Sequence, residues 1–234
     1  MKTIGIIGGL GPEATVDYYQ KLINAFKQLR HGALNYPEAV IYSVNLSHFI
    51  GLLDKKDLDA AAHYIATAIN KLQQAGAEFA AISANTPHLL FDQIAQQTNL
   101  PLISIVESCK QQAEKLNLKR CGLIGTRFTM QHPFYRDAFA KANIDVVVPQ
   151  QSQIERIHEL LFSELELGIF REETKQELLA IVQTMIDNQA IDALILGCTE
   201  FPIMFTDTSY LGIPFLNTTQ IHVDAIVTEC LSNA

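Results

Sequence analysis

Ala77 to Thr86 reads A-E-F-A-A-I-S-A-N-T and Ile191 to Glu200 reads I-D-A-L-I-L-G-C-T-E, and the two superpose with Glu78 on Asp192, Ser83 on Gly197 and Ala84 on Cys198. Each is an apolar run that ends at a small residue and continues into polar ones, the pattern of a buried strand feeding a turn. The echo continues downstream, where Leu100-Pro101-Leu102-Ile103 matches Ile213-Pro214-Phe215-Leu216. It also continues upstream, where Lys2-Thr3-Ile4-Gly5-Ile6-Ile7-Gly8 matches Lys119-Arg120-Cys121-Gly122-Leu123-Ile124-Gly125. A chain built of two such halves predicts two similar lobes related by a pseudo-twofold axis, with equivalent strand ends facing each other across a cleft. Cys198 then stands on one wall and Ala84 on the other, so only one wall carries a thiol.

The 234 residues suffice for two lobes of about 110 residues each. With 48% apolar and 18% charged residues the chain reads as globular rather than disordered. Its apolar stretches, such as Ala193 to Leu196, are too short to span a bilayer. The Lys2-Thr3-Ile4 start runs into a Gly-rich turn rather than a signal-peptide region, so a cytoplasmic protein without membrane contact is expected. A net charge of −8 without a local Lys/Arg cluster argues against nucleic acid as a partner. Cys109, Cys121, Cys198 and Cys230 form no C-x-x-C pair and lie beside no His, so neither a metal site nor a disulfide framework is expected. Three of them read as buried apolar residues. Cys198 differs because it follows Gly197 at a strand end and precedes Thr199-Glu200.

Strands alternate with amphipathic helices throughout, which predicts an α/β fold in which each lobe is a parallel sheet flanked by helices. Strands are expected near 4–7, 39–44, 79–83, 102–103, 121–124, 144–148, 193–196 and 214–216. Helices are expected near 13–29, 58–75, 87–97, 107–115, 133–142, 153–167, 173–188 and 219–231. The last strand and helix resemble a piece completing the first lobe, so the expected division is 1–99 with 208–234, and 100–207.

Gly8-Gly9-Leu10-Gly11-Pro12-Glu13-Ala14 reads as a strand end, a Gly-rich turn and a helix start, with Pro12 suited to the first helical turn. Such a turn offers N–H donors to an anion. Its Gly9-x-Gly11-x-x-Ala14 spacing loosely matches a dinucleotide fingerprint. No acidic residue ends the second strand and no P-loop Lys follows, however, and a tight turn that merely packs strand on helix is the stronger rival. In Ser83-Ala84-Asn85-Thr86-Pro87-His88 the polar residues are ordinary capping residues, and they gain interest because open α/β sheets bind ligands at the carboxyl ends of strands. Thr126 and Thr129, after the strand ending at Gly125, carry hydroxyls suited to a substrate carboxylate.

In this order and spacing the motifs resemble the aspartate/glutamate racemase family, which inverts amino-acid α-carbons without pyridoxal phosphate or another cofactor. The resemblance rests on Lys2 to Thr15, Asn85-Thr86-x-His88, Gly125-Thr126-x-x-Thr129 and Leu196-Gly197-Cys198-Thr199-Glu200, and it spans essentially the whole chain. It implies a small-molecule amino acid or dicarboxylate substrate, aspartate first and glutamate next, and a homodimer. It also implies two thiols working on opposite faces of the α-carbon, because one fixed group reaches only one face. The family's second cysteine falls on Cys198; its first falls on Ala84, a position where some members carry a residue other than cysteine, often threonine. The resemblance places substrate contacts at Leu10, Asn85, Thr86, Thr126, Thr129, Thr199 and Glu200. Ser83, His88 or a water is the candidate to replace the missing proton donor, and helix N-terminal N–H groups are expected to stabilise the Cys198 thiolate. Some aspartate racemases use an Arg after the second strand and a Lys near the end of the long helix of lobe two. Asn45-Leu46-Ser47-His48 and Glu164-Leu165-Glu166-Leu167-Gly168 supply neither. Three rivals are a one-thiol decarboxylase of the same fold, a catalytically silent amino-acid binder and a nucleotide-dependent enzyme.

Overall fold

Both echoed segments become fully buried strands in the interior of separate sheets. The structure, a computed structural model, describes residues 1–29 and 34–232. The chain forms two units, Met1–Ile105 with His222–Ala234, and Val106–Ile221.

The first unit runs β1 (Ile4–Gly8), α1 (Pro12–Leu29), β2 (Ala39–Ser43), α2 (Leu46–Asp54), α3 (Leu58–Gln74), β3 (Phe79–Ile82), a 3₁₀ turn (Thr86–Leu90), α4 (Phe91–Ala95) and β4 (Leu102–Ile103). Its strands lie in the order β2-β1-β3-β4, all parallel. Because side chains alternate along a strand, Ile4 and Ile6 of β1 and Phe79 and Ala81 of β3 face one side, where Tyr18, Leu22 and Phe26 of α1 meet them. Gly5 faces the other side, where a Cβ would come 3.0 Å from Ala77 Cβ and 3.2 Å from Leu72 Cδ1 of α3. Helices on both faces explain why β1 and β3 read as continuous apolar runs.

The second unit continues with α5 (Ile105–Lys115), β5 (Arg120–Gly125), α6 (Arg127–Gln131), α7 (Phe134–Ala140), β6 (Asp145–Val147), α8 (Gln151–Ser163), a 3₁₀ turn (Leu165–Leu167) and α9 (Glu172–Gln189). It ends with β7 (Ala193–Gly197), α10 (Phe201–Met204), β8 (Ser209–Tyr210), β9 (Ile213–Asn217) and α11 (Thr218–Leu231). The sheet order is β6-β5-β7-β9-β8, parallel except for the edge strand β8. Leu194 and Leu196 of β7 pack with Ile154, Ile157 and Leu161 of α8 and with Leu178, Val182 and Met185 of α9.

The division differs from the expected one at both crossings. Leu102 and Ile103 pair with Ala80 and Ala81 in the first sheet, so the chain leaves that unit after Ile105 rather than near 100. Phe215, Leu216 and Asn217 pair with Leu194, Ile195 and Leu196 in the second sheet, so 208–221 belongs there. The physical reason is pairing: without β9 the buried strand β7 would keep one edge of unmatched N–H and C=O groups. The return comes inside α11, whose Val223, Ile226, Val227 and Cys230 complete the first unit's core. Three short helices, α2, α6 and α10, escaped the sequence reading. Helix α2 had a legible signal in Leu46, Phe49, Ile50 and Leu53 at helical spacing, and Asn45 caps it by accepting the His48 N–H at 2.9 Å. The helix expected at 87–97 is split, its first part being the 3₁₀ turn that carries Pro87.

No helix among the described residues is long and apolar enough to cross a membrane. All four cysteines are free and buried. Because Ile226 is fully buried against β1 and α1, Ile226→Ala is expected to destabilise the first unit by about 2–5 kcal/mol. Urea denaturation checks this, and a change below about 0.5 kcal/mol, the usual range for surface substitutions, would contradict the placement of α11.

Candidate functional site

The chain leaves β7 where two backbones come too close for a side chain. Gly197 pairs with Gly125 of β5. A Cβ on Gly197 would lie 2.8 Å from the Ile124 carbonyl oxygen and 2.6 Å from Leu123 Cδ1, and one on Gly125 would lie 2.8 Å from the Gly197 carbonyl oxygen. Glycine is therefore required at both positions, and Cys198 is the first side chain available at the strand end. It is 5% exposed, and the turn that follows is closed by the Phe201 N–H donating to the Cys198 carbonyl at 3.3 Å.

Two carboxylates flank the thiol. Cys198 Sγ donates to Glu200 Oε2 at 2.9 Å, and the Thr199 hydroxyl donates to the same oxygen at 3.1 Å. Glu166, from the 3₁₀ turn after α8, brings Oε1 to 4.0 Å from Sγ. Its other oxygen, Oε2, is buried without a hydrogen-bond partner. Glu200 is 1% exposed. Sequence reasoning took 164–168 as the end of a helix lacking a basic residue and missed Glu166 as a neighbour of Cys198. The break of α8 at Ser163 and the left-handed Gly168 produce the turn that carries it, and Gly168 was the available signal.

This surrounding sets the charge of the thiol. Burial is the largest influence raising the Cys198 pKa well above that of an ordinary thiol, and the charges of Glu200 and Glu166 raise it further. The Glu200 backbone N–H opposes them and is outweighed. The expected thiolate-stabilising helix terminus is thus not what the structure provides: α10 is a four-residue turn, and Cys198 is held as a neutral thiol. Burial and the charge of Glu200 also push the Glu166 carboxyl up to about 8. Glu166, Cys198 and Glu200 bring three polar atoms within 4.8 Å of one another, an acidic surrounding that favours a positively charged group.

At the neighbouring strand end of the second unit, Thr126 caps α6. Its Oγ1 accepts the Thr129 N–H at 3.2 Å and lies 3.1 Å from the Thr129 hydroxyl, with both residues buried. Arg127 donates its N–H to His158 Nδ1 at 3.3 Å and pairs with Glu155 at 3.3 Å on the surface.

In the first unit, β3 ends at Ile82, and Ser83-Ala84-Asn85 follow, all buried, with Thr86 half-buried. The two candidate substitute donors are committed elsewhere. Ser83 Oγ donates to the Ile7 carbonyl at 3.0 Å. His88 Nδ1 bonds the Ala84 carbonyl at 3.0 Å while Nε2 accepts the Ile105 N–H at 3.2 Å, which fixes the tautomer with hydrogen on Nδ1. Burial, then the neighbouring His222, lowers the His88 pKa to about 3, so the ring is neutral at physiological pH and its one N–H is used on the Ala84 carbonyl. Ser83 and His88 both spend their polar atoms on backbone groups at the strand end.

The Gly-rich turn is likewise tightly engaged. Gly9 has a φ of +80°, and a Cβ there would lie 2.3 Å from the Val44 carbonyl oxygen. Its N–H donates to Thr15 Oγ1 at 2.9 Å, and Thr15 Oγ1 donates to the Gly11 carbonyl at 3.1 Å. A donor that an anion would need is thus already used, which favours the packing turn over nucleotide binding. Leu10 is buried within it.

The comparisons with known proteins agree with this architecture. A sequence profile of the family described as Asp/Glu/Hydantoin racemase matches residues 7–226. The broad specificity amino-acid racemase RacX of Bacillus subtilis (strain 168) is 28% identical over 203 residues, covering 84% of this chain and 85% of the relative. An aspartate racemase homologue from Pyrococcus horikoshii OT3 superposes with a TM-score of 0.81 at 30% identity, covering 98% of this chain and 99% of that one. The glutamate racemase of Francisella tularensis, solved with D-glutamate, shares the fold with a TM-score of 0.68 at 16% identity over 99% of this chain and 82% of that one.

The raised Glu166 carboxyl makes a prediction about stability. Its folded pKa of about 8 lies above the ordinary 4.5, so the folded state holds the extra proton between those values. The stability it contributes is full below about pH 4.5 and is lost as pH rises to about 8. Glu166→Gln should remove this dependence, gaining on wild type between pH 5 and 8.5 in urea denaturation. Curves that stay parallel across that range would contradict the assignment.

Proposed function

The chain belongs to the Asp/Glu/Hydantoin racemase family, and on that premise we propose that it is a cofactor-independent amino-acid racemase in which Cys198 moves the α-proton. The observation that carries this reading is the Cys198 thiol at a buried strand end, hydrogen-bonded to the carboxylate of Glu200. That pair provides what α-proton transfer needs: a sulfur to take the proton and an acceptor for the proton the sulfur must first lose. Thr199 steadies the Glu200 carboxylate through its hydroxyl. Leu10, Asn85, Thr86, Thr126 and Thr129 are the proposed further contacts for the substrate. Thr126 and Thr129 act as a pair because their hydroxyls already bond each other.

Aspartate first and glutamate second are the substrates that the family carries to this chain. A homodimer is the assembly that the same resemblance supports, and the cytoplasm is the proposed location. Inversion requires a proton from the face opposite Cys198. The counterpart position is Ala84, and with Ser83 and His88 bound to backbone groups, a water molecule is the remaining donor.

The single thiol also suits a decarboxylase that protonates a carbanion from one face. The Glu200 carboxylate on the sulfur weighs against it, because its charge would repel a doubly negative substrate.

Chiral chromatography of L- and D-aspartate and L- and D-glutamate, incubated without added cofactor, tests the proposal. Wild type should interconvert the enantiomers of at least one pair. Cys198→Ser should lower the rate by about 10²-fold or more with stability near wild type, because a hydroxyl is a far weaker acid and base at neutral pH. Conversion that survives this substitution would contradict the role of Cys198. Ala84→Cys should raise the inversion rate; an unchanged rate would contradict the pairing of Ala84 with Cys198.

A further inference from the structure

The two carboxyl groups beside Cys198, Glu200 buried and Glu166 half-buried, are not both explained by proton transfer alone. Glu200 suffices as hydrogen-bond acceptor, yet a second carboxylate, Glu166, stands 4.0 Å from the same sulfur. No Lys, Arg or His among the described residues pairs with Glu166, and its Oε2 is buried with no hydrogen-bond partner. Two arginines of this unit are engaged with other carboxylates: Arg171 pairs with Glu164 at 2.9 Å, and Arg156 pairs with Glu177 at 2.7 Å and with Glu159 at 2.7 Å. A half-buried carboxyl without a counter-ion, next to a buried one, is costly to ionise, and a cation entering the cluster relieves both.

We infer that Glu166 seats the ammonium group of the substrate and that filling this seat is what allows Cys198 to ionise. This rests on the proposed racemase reading, which puts the substrate α-carbon within reach of Sγ. The α-nitrogen is bonded to that carbon, so a carboxylate 4.0 Å from the sulfur is placed to meet it. The charged groups acting on the thiol come from two elements: Glu200 from the turn after β7, and Glu166 from the turn after α8. In the free protein both oppose a thiolate. With the ammonium bound, Glu166 is neutralised by its partner and gives any proton it holds to solvent. The thiol proton then passes along its existing hydrogen bond to Glu200, and the sulfur takes the α-proton. The substrate class is therefore ammonium-bearing, and deaminated acids of the same shape leave the thiol protonated.

The test follows the ¹³Cβ resonance of Cys198 in ¹³C-cysteine-labelled protein, assigned through Cys198→Ser, across pH 6–10. It is recorded alone and with L-aspartate, L-glutamate, L-alanine or L-lysine, against succinate, glutarate and propionate. At least one amino acid should lower the midpoint of thiol ionisation by about one pH unit or more, while its deaminated counterpart should not. In Glu166→Gln the ligand-free midpoint should already be lower, the ligand-induced shift should vanish, and KM should rise about tenfold more than kcat falls. Glu166→Asp should restore part of the shift. Equal shifts from deaminated acids, a full shift retained in Glu166→Gln, or no shift with any amino acid would each overturn the inference. Failure of the racemase reading has a different signature, a thiol that responds to amino acids with no Cys198-dependent interconversion.

Discussion

The meeting of Gly125 and Gly197 is the constraint on which the rest of the second unit depends. Parallel pairing brings the ends of β5 and β7 so close that neither position tolerates a Cβ. The next residue, Cys198, is therefore presented at the strand terminus with its backbone fixed by the sheet. Helices α8 and α9 cover the face of that sheet, and the break after α8 delivers Glu166 beside the sulfur. Sheet register, helix length and one left-handed glycine together place a thiol between two carboxylates.

Magnitudes decide the state of that thiol. Two unit charges 4 Å apart interact by about 4 kcal/mol at an effective dielectric of 20; Glu200 acts within that range, and Glu166 joins it once its carboxyl ionises near pH 8. A single hydrogen bond from a backbone N–H to a charged group contributes about 1.5–3 kcal/mol. The carboxylates and burial therefore win over the Glu200 N–H, and the resting form is the neutral thiol. A racemase that begins from this form needs something that makes ionisation local and conditional. A substrate carrying its own positive charge meets that requirement.

Much of this was legible in the sequence. The echo between 77–86 and 191–200 located the two buried strands, and the apolar alternation gave parallel sheets flanked by helices. The match of Leu100-Pro101-Leu102-Ile103 to Ile213-Pro214-Phe215-Leu216 also held the right assignment for β9, since each is the strand next to the echoed one in its own sheet. Reading the last strand as part of the first lobe set that match aside. The helix after it was read as part of the first lobe too, and from His222 onward it packs in the first unit's core. Cys198, Thr199 and Glu200 stood out as neighbours in the chain. Glu166 did not, because its nearness to Cys198 arises from tertiary structure across 32 residues. The roles of Ser83 and His88 were hidden for the same reason: their partners are backbone groups of β1 and of the start of α5.

The account stands or falls on whether Cys198 handles the α-proton. Proton NMR in deuterated buffer follows loss of the α-hydrogen from each enantiomer of aspartate and glutamate, with wild type beside Cys198→Ser. The account predicts α-deuterium in the enantiomer formed, with exchange abolished in the variant. α-Hydrogen exchange that proceeds equally in both proteins, or no exchange with any of the four amino acids, would contradict it.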